Sequence, residues 1–399
     1  MRRVTIAFLS LLALTACGGL LFSAQAAFDQ DAPKPTLKRL KEKEWWPTKT
    51  DTARKDYVGT EICASCHRQE ATEQQGTAMA QAASVASQTE LLRSNAKLSH
   101  QDSPFATEIQ RDRQGSTYIV SQGGKARSGR LEWSMGLGIM GQTFILESGG
   151  TLFESQLSYF RAIGGLDLTP GHTPADPRNL ERAFGEPQSQ EAAQRCFGCH
   201  TTASSEKHRF DPSHATPGIT CEACHGPGAQ HVQAMQANPA GGTDSSILDP
   251  GTFAPAKLID YCGACHRAPL DVTTAKDFVP INIRFQPYRL SKSRCWSKPD
   301  PRITCIACHN PHLPLERDAV AYDAKCLACH ASAGSAASKI GDAAKPDRSA
   351  AASSQRKICP VSSNRCVSCH MPQYKVPQMH GSFTDHDIRI VRPGDPFPL

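Results

Sequence analysis

The chain has 399 residues, a formal charge of +6, 39% hydrophobic and only 7% aromatic residues, with 29 Gly and 28 Pro. So small a charge excludes the basic field of a nucleic-acid binder, and so few large apolar side chains make a poor core for a chain of this length. Of the 17 cysteines, 14 fall in seven Cys-x-x-Cys pairs, each followed at once by His, which excludes an ordinary reduced cytosolic enzyme.

Residues 1–26 read as an export signal. Arg2 and Arg3 precede an apolar run from Val4 to Ala16, and no acidic residue occurs before Asp29. Three processing readings stand. Ala24-Gln25-Ala26 is a small-x-small cleavage site, Leu14-Thr15-Ala16-Cys17 resembles a lipoprotein site that would lipidate Cys17, and the run could remain as an anchor. No later stretch reaches the ~18 apolar residues of a membrane span. Residues 27–56 are charged, contain Pro and Lys, and read as a linker.

Residues 57–195 hold the first Cys-x-x-Cys-His motif and an insert. Glu70 to Arg93 is rich in Ala, Gln and Glu and predicts a helix. Ser116 to Gln122 predicts a strand, and Gln142 to Leu146 with Leu152 to Leu157, around Ser148-Gly149-Gly150, predicts a hairpin. Gly136, Gly138 and Gly141 match a dinucleotide-binding spacing, but a strand-like run follows them where a helix is required. They read better as a turn into the hairpin. Residues 196–392 hold six motifs, separated by 20, 36, 38, 16 and 35 residues. Such short Pro-containing gaps leave room for little beyond the helices that carry the motifs. Residues 331–357 are an Ala/Ser-rich insert that reads as a flexible surface loop.

The motifs are Cys63-Ala-Ser-Cys66-His67, Cys196-Phe-Gly-Cys199-His200, Cys221-Glu-Ala-Cys224-His225 and Cys262-Gly-Ala-Cys265-His266. Cys305-Ile-Ala-Cys308-His309, Cys326-Leu-Ala-Cys329-His330 and Cys366-Val-Ser-Cys369-His370 follow. Chance would produce roughly 0.03 such pentapeptides from this Cys and His content. The spacing suits covalent haem. Two thiols one helical turn apart add to the two vinyl groups, and the adjoining His binds the iron. Zinc would pair the pairs, and seven is odd; it also gives no reason for the His. A disulfide framework needs neither the constant gap nor the His. Seven haems c are therefore expected, and their apolar rings supply the missing core. Each nets roughly −1 ferric and −2 ferrous, enough to cancel the +4 left once Arg2 and Arg3 are removed.

Seven proximal His leave His100, His172, His208, His214, His231, His312, His380 and His386 as candidate second axial ligands. His231 and His312 lie just past motifs three and five, where each can face a neighbouring haem. His380 and His386 lie in a tail with no other evident use, and His208 and His214 flank Phe210-Asp211-Pro212. Met79, 12 residues after His67, is a rival ligand for the first haem. Near parity of ligands and haems favours an electron carrier over an enzyme, since an iron with both axial sites filled binds no substrate. Cys295 and Cys359 are left over and read as a disulfide, as free thiols or as an axial thiolate.

Tyr57-Val-Gly-Thr-Glu-Ile-Cys63-Ala-Ser-Cys66-His67 resembles the first haem site of the cytochrome c-554-like multihaem family. Gly218-Ile-Thr-Cys221-Glu-Ala-Cys224-His225-Gly-Pro-Gly, with the later His231, is similar to another site of that family. Cys305-Ile-Ala-Cys308-His309-Asn-Pro-His312 and Cys366-Val-Ser-Cys369-His370-Met-Pro also match multihaem relatives, as does the ending His380-Gly-Ser-Phe-Thr-Asp-His386. The resemblance implies periplasmic electron transfer, mostly bis-His ligation and haems stacked in close pairs. Where the family's first site has a downstream His, this chain offers Met79.

The expected fold is mainly α and irregular around the haems, with a small antiparallel β insert between the first and second motifs. The expected function is multi-electron transfer between redox partner proteins on the exported side, with membrane association through an N-terminal lipid or anchor. The alternative is a reductase or oxidase of a small nitrogen or sulfur compound, with one open haem.

Overall fold

The computed structural model describes residues 32–136, 140–238, 244–272, 281–297, 302–330, 359, 361–392 and 394–397. The export signal with Cys17, and the insert at 331–357, lie outside these residues.

The dominant element is an antiparallel sheet of eight strands: β1 (Ala83–Val85), β2 (Lys97–Asp102), β3 (Phe105–Asp112), β4 (Gly115–Gln122), β5 (Lys125–Met135), β6 (Thr143–Ser148), β7 (Thr151–Ser155) and β10 (Gly185–Pro187). Its order is β10-β7-β6-β5-β4-β3-β2, with β1 paired to the far end of β5 through Ala83–Met135 and Val85–Trp133. A separate hairpin joins β8 (Leu157–Phe160) to β9 (Gly165–Leu168). This corrects the expected fold class: the β insert is not small, and the chain is not mainly α.

Period-2 burial explains the sheet. Phe105, Thr107 and Ile109 on β3, and Ser116, Tyr118 and Val120 on β4, alternate with more exposed residues. Of these, Phe105, Ile109, Tyr118 and Val120 join Phe144, Leu146, Phe153 and Phe184 in one apolar cluster. The alternation of each strand is local, and only the pairing of strands from 97 to 187 makes one sheet of them. Gly149 and Gly150, with φ of 62° and 80°, close the β6–β7 hairpin where the sequence predicts it. The predicted strand at 116–122 is β4. Of the glycine run, residues 137–139 lie outside the described residues; Gly136 has φ of 96° and its N–H donates to the Ala82 carbonyl.

The predicted helix over Glu70 to Arg93 is broken into three parts. A helix Arg68–Gln75 stops at Gly76, β1 follows, and a short helix Glu90–Ser94 comes last. Tertiary pairing overrides helix propensity here: Ala83 packs against the β5 side of the sheet, while Ala86 enters its main core.

Seven further helices each carry or begin a motif, and we number them by it. They are α1 (Thr60–Ala64), α2 (Gln190–His200), α3 (Cys221–His225), α4 (Pro255–His266), α5 (Cys305–Cys308), α6 (Asp323–His330) and α7 (Cys366–His370). The sheet grips α2 directly. Phe197, inside the second motif, is fully buried and meets Trp133 of β5 edge-on at 5.2 Å. The stretch from Ala32, read as linker, is wrapped onto α4. Arg39 is 1% exposed and reaches Asp260 at 3.2 Å, and Trp46 packs edge-on against Tyr261 at 4.9 Å.

Candidate haem sites

One helical turn places residues i, i+3 and i+4 on a common face. The His67 and His309 amides donate to the carbonyls of Cys63 and Cys305, at 2.8 and 2.9 Å, so both thiols and the imidazole of each motif share a side. Three of these imidazoles face a second His across a gap. His67 and His231 have ring centres 6.4 Å apart with planes 27° apart. His225 and His312 are 5.9 Å and 13° apart, and His309 and His386 are 6.3 Å and 40° apart. A metal–imidazole bond of about 2 Å, plus roughly 1.1 Å from nitrogen to ring centre, puts two trans imidazoles about 6.2 Å apart. The three gaps therefore fit one iron each.

The ring orientations fit as well. An imidazole that binds a metal through Nε2 commonly donates Nδ1–H to a carbonyl or carboxylate. His200, His225 and His370 donate from Nδ1 to the carbonyls of Ala82, Leu248 and Arg389 at 3.0, 2.8 and 2.9 Å. Among the facing histidines, His231 donates to Asp244 at 2.6 Å and His386 to the Thr384 carbonyl at 3.1 Å. Burial lowers the pKa of His200, His266, His309 and His312 and takes His386 to about 4. These rings are therefore neutral and can offer a lone pair to iron. His266 is accessible by surface area and yet desolvated by the protein around it, so it lines a cleft rather than the outer surface. Haem c fits this donor set; bound there, it would cycle between ferric and ferrous iron. Among the described residues no three His, Cys, Asp or Glu side chains converge to enclose a bare ion.

The other candidates sit differently. His172 uses both nitrogens, toward Gln156 at 3.0 Å and Glu154 at 3.2 Å. His380 directs Nε2 at Asp167 at 2.7 Å and lies edge-on to Phe160. His208 and His214 are exposed and bonded to Thr50 and Asp211, while His100 lies on β2 opposite Thr107. Met79 is half-buried on the segment before β1, and the ring opposite His67 is His231. Cys359 is exposed and forms no disulfide.

Thiols of different motifs also meet. The Cys63 thiol bonds to Cys221, which holds Cys221 down at about 6 and pushes Cys63 up. Cys199 pairs likewise with Cys265, Cys262 with Cys305, and Cys326 with Cys366. Motifs one and three, two and four, four and five, and six and seven are thus neighbours. His312, just past motif five, reaches motif three, and Tyr322, beside α6, approaches His309 at 3.4 Å. All seven motifs form one connected set. Two residues on which this depends carry no motif signature: Tyr261, whose hydroxyl donates to the Cys224 carbonyl, and Asp244, which orients His231.

Paired imidazoles beside motif cysteines are the donor set that a covalently held haem c requires. Residues 173–226, which include motifs two and three, match the family model described as cytochrome c554 and c-prime, and this supports a c-type cytochrome. The crystal structure of outer cell wall cytochrome OcwA is similar at 18% identity and a TM-score of 0.29, over 53% of this chain and 37% of that one. The chain thus matches little more than a third of that protein's length, and the likeness is too slight to assign a fold. No curated protein matches the chain. Among the described residues no helix is long and apolar enough to cross a membrane.

Proposed function

We propose that the chain is an exported heptahaem c-type cytochrome that relays several electrons between redox proteins. The observation that carries this is the set of three imidazole pairs at 5.9–6.4 Å, each built from a motif His and a His outside the motifs. A site with both axial positions filled stores and passes electrons without binding substrate. The residues also hold the seven motifs as one linked set, so no site is isolated from the others. Export is supported by the signal-like start at Arg2 and Arg3 and the apolar run that follows it. The partners are redox proteins, and an N-terminal lipid at Cys17 or an uncleaved anchor would hold the chain at a membrane. The deciding experiment is a haem count by intact mass with an electron paramagnetic resonance spectrum of the oxidised protein. Seven haems with at least three bis-His low-spin signals are expected; a colourless protein, or pigment extracted by acidified acetone, would sink the reading.

A second reading has one observation in its favour. Among the described residues, no second imidazole is in ring contact with His200 or His370, so a motif iron could remain open. A high-spin signal together with turnover of nitrite, hydroxylamine or sulfite would then mark a reductase or oxidase.

A further inference from the structure

Two motif pairs are joined by the same device. Glu222 stands in the first turn of α3, between the two cysteines of motif three, and is 3% exposed. Its carboxylate reaches across to motif one, where the Val58 and Gly59 amides, at the entry to α1, donate to it at 2.8 and 2.9 Å. The Gly228 amide of its own loop donates at 2.9 Å. A side chain at Gly228 would strike Val58 at 2.9 Å, so glycine is what permits this close approach. Asp323 is the first residue of α6 and is 7% exposed. The Arg365 and Cys366 amides at the entry to α7 donate to it at 2.6 and 2.8 Å. Arg365 is held at φ of 56°, a left-handed conformation that a non-glycine residue keeps only when its surroundings impose it.

In both cases a carboxylate from one motif helix satisfies the backbone donors at the start of another. In both cases the thiols beside it meet: Cys63 with Cys221, and Cys326 with Cys366. Charge-assisted hydrogen bonds to backbone N–H are roughly twice as strong as neutral ones, and burial of the acceptor makes their loss costly. Helices of five residues, as α1, α3 and α7 are, have too few internal bonds to hold their own orientation. We infer that Glu222 and Asp323 are positioning residues that set the spacing of two haem pairs, one and three, and six and seven, and so set the redox interaction within each pair. This rests on the heptahaem reading.

The test uses the full-length holoprotein with E222A, E222Q, D323A and D323N, with haems counted by intact mass before a spectroelectrochemical titration. The wild type must carry seven haems; a lower count overturns the underlying reading whatever the variants do. With the full complement, E222A is expected to lower the interaction constant of one haem pair roughly twofold or more. That is the scale Coulomb's law sets at an effective dielectric of about 20 when two charges separate by a few ångström. E222Q, which keeps an acceptor oxygen, should retain most of the interaction, and D323A should act on a different pair, with D323N milder. Loss of only two haems in E222A, and of another two in D323A, would also support separate clamps. Titration curves of fully loaded E222A and D323A that superimpose on the wild type would overturn the inference. So would loss of all seven haems in both, since that is general destabilisation.

Discussion

His231 illustrates how one side chain acquires a role from its surroundings. Its Nδ1 is held by Asp244 and its ring stands opposite His67, so its Nε2 is left for a metal. Replacing His231 with Ala should convert one low-spin site to high-spin while leaving the others unchanged, as read by electron paramagnetic resonance. Met79→Leu should leave the spectrum as it is, because His231 already occupies the opposite face. Asp244→Ala leaves the ring unanchored; a weakening of ligation on the order of tenfold is expected, visible as easier displacement of His231 by cyanide.

At the level of elements, the molecule depends on two locks between the haem-binding helices and the rest of the chain. Phe197 is the first: buried between α2, Trp133 and Phe210, it fastens motif two to the sheet. Phe197→Ala should cost about 3–5 kcal/mol in urea melting, since a large aromatic leaves a cavity in a close-packed cluster. The second is Arg289 with Asp385, both fully buried and joined by two hydrogen bonds of 2.8 Å, which seats the tail that presents His386 to His309. Breaking it with Arg289→Ala should cost about 3–5 kcal/mol, because a buried carboxylate loses its main partner. Burial would raise the Asp385 pKa, but the hydrogen bonds from Arg289, the Asp387 amide and Arg389 together outweigh it and hold the carboxyl below its ordinary value. A depressed carboxylate contributes stability that is complete above the unfolded pKa of about 3.9 and is lost as pH falls through the folded value. An acid titration of the visible spectrum should therefore keep the His309–His386 site low-spin to below pH ~4, and Arg289→Ala should lose it at higher pH.

For the whole molecule, the protein sheet and the haem-binding helices are two kinds of core. The sheet has the apolar cluster around Tyr118, Phe144 and Phe184. Among the helices, His266 lines a cleft, and on the proposed reading haem supplies the apolar filling there. Two consequences can be measured. The holoprotein should focus well below the pI of about 8.5 that the amino acids alone imply, since each haem brings two propionates. Chain produced without haem should keep strand signal in far-ultraviolet circular dichroism while losing cooperative melting of its helices.

The cofactor was legible in the amino-acid order because thioether attachment is local: two thiols and an imidazole within five residues are complete without knowledge of the fold. The β6–β7 hairpin was legible for the same reason, since Gly149-Gly150 and the alternation beside it are short-range signals. The extent of the sheet was not, because Leu98, Ile109 and Val120 become one face only when strands from 97 to 187 pair. Nor was the choice of second ligands. His231 and His312 face the histidines of motifs other than those they follow, while His172 and His380, also candidates along the chain, are directed at Glu154 and Asp167. A histidine's role depends on what faces its Nε2, and that is decided by contacts across tens to hundreds of residues.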